Sequence, residues 1–373
     1  MRVGLTALGM ACALGKDHRT ILERAWAGDA SSMRPWEGVL PDGATSPFGR
    51  VDLDEPSGPC PPRCARLLEI ALGQMTAALD ALFGRVPKER IGIVLGSSNS
   101  TMEEYTRHPP EGIDMATPAT WLKERLGVAG PAWVVSTACS SSAKAFASAR
   151  RLLAGGVCEA VIVGGVDSFS RVVENGFFAL EALSPILAQP MGKHRAGINL
   201  GEGAALFIME RAGGPVDLLG VGESSDAYHL TAPHPEGRGA ADAMRAALAD
   251  AGLSLGEVDY INLHGTGTVY NDRMESLAIR EVFGLTVPCS STKPLTGHTL
   301  GAAGAIEAGL CWLMLRAGDR LLPHRFDGVR DETLPPIPLV GLNERRPCRI
   351  ALSNSFAFGG SNASLILGRN DHG

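Results

Sequence analysis

The 373-residue sequence predicts a layered α/β fold built as two lobes. Short runs of β-branched residues alternate with alanine-rich stretches of helical periodicity, which is typical of sheets covered by helices. The chain is too long for one ordinary hydrophobic core and long enough for two. The segment RAGGPVDLLG at 211–220 separates halves of similar size. We therefore predict an N-terminal lobe, 1–212, and a C-terminal lobe, 213–373.

The order of the elements follows from hydrophobic periodicity and turn residues. A short strand and an amphipathic helix explain the N-terminal segment, and residues 30–62, rich in Pro, Gly and Ser, are predicted to be irregular. Further strands are predicted where β-branched residues run together, at 90–98, 132–138, 160–165, 204–210, 258–265, 287–292, 349–355 and 363–368. Helices are predicted where apolar residues recur with helical spacing, at 63–82, 140–153, 239–251, 272–282 and 300–315.

Composition and charge exclude several classes of function. The net charge of −6 gives no general attraction to nucleic acid. No uninterrupted apolar run approaches the roughly 18 residues of a membrane span. Eight cysteines have no repeating spacing, and a chain of this size folds without disulfides, so we expect a reduced, soluble, cytoplasmic protein. Cys60 and Cys64 form one close pair, but no second Cys/His pair lies near it in sequence to complete a zinc site.

The segment VVSTACSSSAKAFASARRLLAGG gives the strongest indication of chemistry. A strand ends at Ala138, and a helix with one apolar face begins at Ser140. Cys139 is therefore predicted to lie at the positive end of the helix dipole, where thiolate is stabilised and the pKa of the thiol is lowered. A buried structural cysteine is the alternative when this segment is taken alone.

Two histidines have similar surroundings. VDYINLHGTGT places His264 where a strand enters a Gly/Thr loop, and STKPLTGHTLGAAGA places His298 at a strand-to-helix junction. A lone histidine is more often a hydrogen-bonded structural residue. Two of them beside Gly-rich turns, in a chain with a helix-start cysteine, favour a catalytic set.

Two further segments support this set. Glu307 lies in an otherwise apolar helix, where a carboxylate needs a partner, and Lys293 on the preceding loop is the natural candidate. A purely stabilising ion pair is the alternative. In SNSFAFGGSNASL, two glycines after Phe358 let the backbone approach a substrate closely. A backbone N–H there can form an oxyanion site with the N–H of Cys139.

Together these segments resemble the elongating β-ketoacyl-acyl carrier protein synthases of the thiolase superfamily. The matching motifs stand in the family's order, namely TACSSS, GGVDS, NLHGTGT followed by Asp272 and Glu275, STKPLTGH and FGGSN. The likeness runs over almost the whole chain. It implies a duplicated, thiolase-like, five-layer αβαβα architecture with two mixed β-sheets. The N-terminal half would carry the nucleophile, and the C-terminal half both histidines.

The resemblance also implies roles for the reactive residues. Cys139 matches the nucleophile that accepts the acyl chain, and His264 and His298 match the pair that promotes decarboxylation. Lys293 and Glu307 match the family's active-site ion pair.

Other positions match parts of the family's substrate site. Phe358 matches the gating aromatic residue, whose backbone N–H shares the oxyanion hole. Thr266 and Thr268 match the threonines that hold the phosphopantetheine arm, and Phe177 and Ile198 are assigned to the substrate-binding wall.

The implied reaction is a decarboxylative Claisen condensation. An acyl-carrier, through an acyl-enzyme thioester, and malonyl-acyl carrier protein would give β-ketoacyl-carrier, carbon dioxide and free carrier, with no metal or redox cofactor. The implied partners are an acyl carrier protein and a second subunit, in a homodimer or in a heterodimer with a ketosynthase-like chain. Among such enzymes, the sequence most resembles synthases of bacterial secondary pathways, such as aryl polyene clusters.

The sequence departs from the family at several places. RAGI at 195–198 replaces the usual RDGF, and Ala357 replaces a common glycine, which is expected to stiffen the gate. The stretch between Ser98 and Pro131 is shorter than usual, which affects the expected acyl channel and dimer contact. Glu181 stands where an arginine often precedes ALS.

These departures leave two questions open. Carrier docking is expected to use other bases, such as Arg63 and Arg66, for which an ordinary solvated helix face is the alternative. The changes at Ala196 and Ala357 also keep a second function open, that of a non-catalytic partner subunit resembling a chain length factor. The intact Cys/His/His set argues against it.

Overall fold

A computed structural model of the chain describes residues 1–54, 61–107 and 114–371. Within these ranges the strands are β1 (Val3–Ala11), β2 (Met33–Pro35), β3 (Pro47–Gly49), β4 (Ile91–Gly96), β5 (Ala132–Val135), β6 (Ala160–Asp167), β7 (Gly203–Glu210), β8 (Val216–Ser225), β9 (Tyr260–Asn262), β10 (Cys289–Ser290), β11 (Ile350–Phe356) and β12 (Ser361–Arg369). The helices are α1 (His18–Trp26), α2 (Arg63–Gln74), α3 (Thr76–Phe83), α4 (Met102–Arg107), α5 (Thr117–Leu126), α6 (Ser141–Ala154), α7 (Arg171–Ala179), α8 (Arg238–Ala251), α9 (Val269–Phe283), α10 (Lys293–Thr296) and α11 (Ala303–Ala317).

Ten strands form a sheet with the order β10-β9-β11-β12-β8-β1-β7-β6-β4-β5. Each five-stranded half is mixed. In the N-terminal half β4 is parallel to β5 and β6, whereas β6 is antiparallel to β7. In the C-terminal half β11 is parallel to β9 and antiparallel to β12. The two expected mixed sheets are joined edge to edge, because β1 and β8 pair from Val3–Leu218 to Leu5–Val216.

Three hydrophobic clusters show how the layers are stacked. One lies between the N-terminal half of the sheet and α2, α3 and α5. A second surrounds α6 and α11, which lie between the two halves of the sheet. A third lies between the C-terminal half and helices α8 and α9. The molecule therefore has the five layers that were predicted, with two helices buried at its centre.

The central helix α11 explains one apolar feature of the sequence. The stretch Leu300–Ala317 is long and apolar enough to cross a membrane by length and composition, although the sequence contains no uninterrupted apolar run of that length. In the folded protein 89% of this stretch is buried. Its apolar character therefore serves the packing of the middle layer.

Some predicted boundaries were wrong. The helix expected at 63–82 is two helices, because Met75, with φ −108° and ψ 4°, interrupts it. The irregular segment 30–62 contains the short hairpin β2–β3, and helices α5 and α7 were not predicted. The segment between the two lobes, expected at 211–220, is shorter because β8 begins at Val216. Cys60 and part of the stretch between Ser98 and Pro131 lie outside the described residues.

Candidate active site

Cys139 lies on the sharp turn between β5 and α6. Ala138 has a φ of 52°, in the left-handed region that costs an L-residue roughly 1–2 kcal/mol. The hydroxyl of Ser141 stabilises this turn, because it accepts a hydrogen bond from the backbone N–H of Thr137 at 2.9 Å and donates one to the carbonyl of Ala138 at 2.5 Å. Helix α6 begins at Ser141, one residue later than expected. The sulfur is thus held at the N-terminal end of a buried helix.

His298 approaches this sulfur from the C-terminal half of the molecule. Its ring Nε2 lies 2.8 Å from Cys139 Sγ. The backbone N–H of His298 donates to the carbonyl of Asn199 at 2.8 Å, so a segment from the N-terminal half fixes its position. Gly297 before it and Leu300 after it both have positive φ values, 71° and 53°. These two reversals bring the ring to the cysteine before α11 begins.

His264 completes the group and is held from behind by Lys293. The rings of His264 and His298 are nearly perpendicular, at 87°, with centroids 5.3 Å apart. The ammonium of Lys293 contacts Glu307 Oε1 at 2.5 Å, His264 Nδ1 at 3.4 Å and the carbonyl of His264. Both side chains of the Lys293–Glu307 pair are almost fully buried. All three N–H donors of the ammonium therefore have a partner.

Burial dominates the protonation of these groups. It raises the pKa of the Cys139 thiol to about 12, although the charge of Lys293 and the backbone N–H of Phe358 lower it. The expectation that the helix terminus would lower this pKa below its ordinary value is therefore wrong for the free protein. Burial, together with the charge of Lys293, lowers the pKa of both His264 and His298 well below 6.5. Both rings are neutral at pH 7.

Hydrogen bonding selects the tautomer of each neutral ring. Because Lys293 donates to Nδ1 of His264, the proton of that ring lies on Nε2. Nδ1 of His298 has no hydrogen-bond partner in the part of the chain that is described. A buried N–H without an acceptor is rarer and more costly than an unused lone pair, so the proton of His298 is also favoured on Nε2. Each ring therefore carries its N–H donor on Nε2.

A cavity of about 650 Å³ opens onto the three side chains. All the residues predicted to bind substrate or to gate the site line this cavity, namely Phe177, Ile198, Thr266, Thr268 and Phe358. The rings of Phe177 and Phe358 stack, with centroids 5.8 Å apart. Lys293 and Glu307 do not line it and lie behind His264. The cavity is large enough for a flexible chain that reaches the sulfur.

The loop after β11 forms one wall of the cavity. Gly359 and Gly360 have φ values of 78° and 72°, and a Cβ on Gly360 would lie 2.6 Å from Cβ of Asp226. Ala357 has an extended backbone with φ −108°, so alanine causes no strain there. The backbone N–H of Asp226 donates to the carbonyl of Gly360 at 2.8 Å. No pattern in the sequence indicates this contact of Asp226.

Two further carboxylates hold the loop that carries His264. Glu275 accepts hydrogen bonds from the backbone N–H groups of His264 and Gly265, both at 2.7 Å. Asp272 accepts one from Gly267 at 3.2 Å. Burial raises the pKa of Glu275 to about 7 and that of Asp272 to about 6. Their spacing of three residues on α9 indicates a shared helix face, but only the fold shows which loop that face holds.

Asp167 does the same for the loop after β4 and for the segment that follows His298. It accepts hydrogen bonds from the hydroxyl of Ser97 at 2.6 Å and from the backbone N–H of Asn99 at 3.0 Å, both after β4. It also accepts one from the backbone N–H of Ala302 at 3.2 Å, just before α11. Burial raises its pKa. The GGVDS motif thus contains the carboxylate that joins the two halves of the site.

The basic residues expected to dock a carrier have other partners. Arg63 donates to the buried carboxylate of Glu202 at 2.7 Å and to the carbonyl of Val51 at 2.9 Å. This pairing is structural, so Arg63 is not available to a carrier. The guanidinium of Arg66 donates to the carbonyl of Asp54.

Two departures from the family's usual sequence, the RAGI segment and Glu181, lie near the cavity. In RAGI, Arg195 forms an ion pair with Asp331 at 2.5 Å, while Ala196 and Ile198 face the cavity. Glu181 is exposed at the cavity wall and has a φ of 55°.

Comparison with known protein families gives two matches along the chain. Residues 65–213 match the model of the β-ketoacyl synthase N-terminal domain, and residues 217–324 match that of the C-terminal domain. The two matches together cover well over half of the chain.

Individual proteins agree with these matches. A chain in the structure of the ketosynthase ApeO in complex with its chain length factor ApeC, from Xenorhabdus doucetiae, is 44% identical, with a TM-score of 0.92 over 99% of this chain and 98% of that one. The 3-oxoacyl-[acyl-carrier-protein] synthase 2 of Rhizobium meliloti is 38% identical over 70% of this chain and 66% of its own length. The chloroplastic 3-oxoacyl-[acyl-carrier-protein] synthase II of Arabidopsis thaliana is 30% identical over 98% of this chain and 75% of its own length. This chain thus spans about two thirds to three quarters of these curated relatives.

Proposed function

The chain belongs to the β-ketoacyl synthase family of acyl-transferring condensing enzymes, in the thiolase superfamily, and we propose that it condenses an acyl chain carried on Cys139 with a malonyl thioester. One observation carries this proposal. The sulfur and the rings of His264 and His298 come together from distant loops at a cavity that can admit a chain. We propose the division at 212/213 as the domain boundary, with the nucleophile in 1–212 and both histidines in 213–373.

The first step is acyl transfer to Cys139. The sulfur attacks the carbonyl of an acyl thioester, a new carbon–sulfur bond forms, and the bond to the carrier's phosphopantetheine sulfur breaks. The proton of the Cys139 thiol passes to that leaving sulfur, which releases free carrier. The Nε2–H of His298, 2.8 Å away, stabilises the negative charge that develops on Sγ. The N–H groups of Cys139 and Phe358 hold the carbonyl oxygen.

The second step is decarboxylation of the malonyl thioester. Loss of carbon dioxide puts negative charge on the thioester oxygen, and two neutral Nε2–H donors stabilise the resulting enolate. The low pKa values of His264 and His298 keep both rings in this neutral, donating form. The enolate carbon then attacks the acyl-Cys139 carbonyl. The β-ketoacyl-carrier leaves, and the sulfur takes up a proton.

Each supporting residue has a defined part in this scheme. Lys293 orients His264 and selects its tautomer, and Glu307 balances the charge of Lys293. Thr266 and Thr268 share a hydrogen bond of 2.9 Å at the cavity wall, where they are proposed to bind the phosphopantetheine arm. The scheme needs no metal ion or redox cofactor.

We propose an acyl carrier protein and a second subunit as partners, in the cytoplasm. The likeness to a chain in the complex of a ketosynthase with its chain length factor supports a heterodimer, with a homodimer as the alternative. The origin in a secondary pathway stays a prediction.

The second candidate function is a non-catalytic partner subunit. The departures at Ala196 and Ala357 were the reason to consider it. Neither closes the cavity or strains the gate, and Cys139 has its histidine partner. The structure therefore favours the catalytic subunit.

The test is acylation followed by decarboxylation. The protein is incubated with an acyl-carrier thioester, and its intact mass is measured, with Cys139→Ala and Cys158→Ala as matched variants. We expect one acyl group on the wild type and on Cys158→Ala, none on Cys139→Ala, and release of carbon dioxide when malonyl-carrier is added. If the protein shows neither reaction alone or co-expressed with its neighbouring genes, the partner-subunit function is the correct one.

A further inference from the structure

The three reactive side chains also have the composition of a metal site. Cys139, His264 and His298 each offer one ligand atom, and these atoms all lie within 4.8 Å of one another. All three residues are buried, with exposures of 7%, 2% and 1%. Thiolate and imidazole are the ligands that Zn²⁺ prefers in proteins. Three such ligands around one point are sufficient for a zinc site of the open type, which keeps a fourth position for water.

The fourth position is available on the cavity side. The cavity of about 650 Å³ opens onto the same three residues, so a water molecule can complete a tetrahedral shell. Zn–S and Zn–N bonds of about 2.3 and 2.0 Å correspond to a sulfur–nitrogen separation of roughly 3.5 Å in a tetrahedron. Since Sγ and Nε2 of His298 are 2.8 Å apart, the ring needs to withdraw by less than about 1 Å.

The surrounding charges decide how tightly an ion is held. Lys293 would repel a cation, but Glu307 contacts its ammonium at 2.5 Å and balances its charge. The second ring nitrogen of a zinc-binding histidine usually donates to a carboxylate or a carbonyl, which strengthens the ligand. Here Nδ1 of His264 lies 3.4 Å from the ammonium of Lys293, so a proton that moves to Nδ1 on metal binding meets a cation, which weakens this ligand. The arrangement therefore favours reversible binding over a permanent structural metal.

We propose that Zn²⁺ binds reversibly to Cys139, His264 and His298 and inhibits the free enzyme. A metal–sulfur bond replaces the S–H bond, and that proton passes to solvent. The Nε2 proton of each ring moves to Nδ1, so that Nε2 can bind the metal, and no electron is transferred. Because an acylated sulfur is no longer a thiolate, the acyl-enzyme resists the metal. Zinc therefore competes with the acyl donor and not with the malonyl donor. The inhibition rests on the proposed condensing function, whereas the metal binding does not.

The binding test uses Co²⁺, which absorbs strongly when bound by thiolate. We expect one Co²⁺ per chain with a thiolate-to-cobalt absorption band, which Zn²⁺ displaces. Cys139→Ala should lose the band and bind at least a hundredfold more weakly, whereas Cys158→Ala should match the wild type. Wild-type protein alkylated at Cys139 with iodoacetamide, which avoids any folding defect of a variant, should also lose the band. A band that persists after alkylation or in Cys139→Ala would overturn the site.

A second measurement separates this inference from the proposed function. Bound Zn²⁺ should slow the alkylation of Cys139 by at least tenfold, and preloading with an acyl group should abolish Co²⁺ binding. If Co²⁺ binds as expected but no acyl-carrier is ever a substrate, the metal site stands and the proposed function fails. If condensation runs at full rate at saturating Zn²⁺, the inference fails and the proposed function stands.

Discussion

The two strand-to-helix junctions of the active site follow similar paths and deliver different chemistry. In the N-terminal half, β5 leads through Ala138, with φ 52°, directly into α6. In the C-terminal half, β10 leads through α10 and then through Leu300, with φ 53°, into α11. The first turn is short and presents one sulfur at a helix end. The second is longer, and the extra residues provide room for both Lys293 and His298.

The two junctions meet because the central helices are in close contact. A Cβ on Gly304 in α11 would lie 2.9 Å from both Cβ and the backbone nitrogen of Ala143 in α6. The backbone N–H of Ala305 donates to the hydroxyl of Ser142 at 2.9 Å. Small residues at this crossing therefore let the proposed nucleophile of one half reach the histidine of the other. The geometry of the site therefore depends on this helix contact as well as on the reactive residues.

The largest effect on activity is expected from replacing the reactive cysteine of the N-terminal junction. Cys139→Ala removes the atom that forms the acyl-enzyme, so condensation should fall by at least about a thousandfold. The rate of product formation from acyl-carrier and malonyl-carrier measures this loss. Cys158→Ala is the control and should retain the wild-type rate. Equal activity of the two variants would show that Cys139 is not the nucleophile.

Replacing the reactive histidine of the C-terminal junction should separate acylation from decarboxylation. His298→Ala leaves the sulfur but removes one N–H donor to the enolate, so decarboxylation should fall by about 10²–10³-fold. Acylation of Cys139 should persist within about tenfold. Intact mass and trapped carbon dioxide measure the two steps independently. If acylation and decarboxylation fell by the same factor, the proposal that His298 acts mainly in the second step would be wrong.

A buried carboxylate in the N-terminal half of the chain should make the stability of the fold depend on pH. Glu174 in α7 is 5% exposed, and burial raises its pKa to about 7 from an ordinary 4.5. A raised carboxyl pKa stabilises the fold below pH 4.5, and this contribution is lost as pH rises to about 7. The loss amounts to roughly 3 kcal/mol. This loss of stability with rising pH should be absent in the Glu174→Gln variant.

The measurement is the free energy of unfolding of both proteins at pH 5 and pH 8. Relative to the wild type, Glu174→Gln should gain stability at the higher pH. Glu275 has a similar pKa but accepts two backbone N–H groups, so Glu275→Gln should disturb the His264 loop and lower activity as well. A wild type and a Glu174→Gln variant with parallel pH profiles would contradict this account.

The smallest expected effect comes from the helix crossing itself. Gly304→Ala places a methyl group 2.9 Å from the backbone of α6, so one helix has to shift, at a cost of about 1–3 kcal/mol. Unfolding by denaturant measures the cost, and a reduced rate of Cys139 acylation would show that the sulfur and His298 had separated. Gly73→Ala is a suitable control, because a Cβ there meets no atom within 4 Å. Identical behaviour of the two variants would mean that the crossing is not tight.

The sequence alone indicated the candidate reactive residues and most of the layers. Runs of β-branched residues predicted the strands, and helix-start serines placed Cys139 at the head of a helix. The apolar surroundings of Glu307 predicted its pairing with Lys293, which is present. These features are local, since each depends on residues close together in the chain or on the cost of burying a charge.

Only the tertiary structure decided how these parts act together. The 2.8 Å contact between Cys139 and His298 joins residues 159 positions apart. The thiol pKa was predicted in the wrong direction, because helix-end effects are visible in a sequence whereas the desolvation that outweighs them depends on the whole fold. The same holds for Arg63, whose buried partner Glu202 lies in a distant segment. Local patterns name the reactive groups, but burial and long-range contacts set their protonation and their partners.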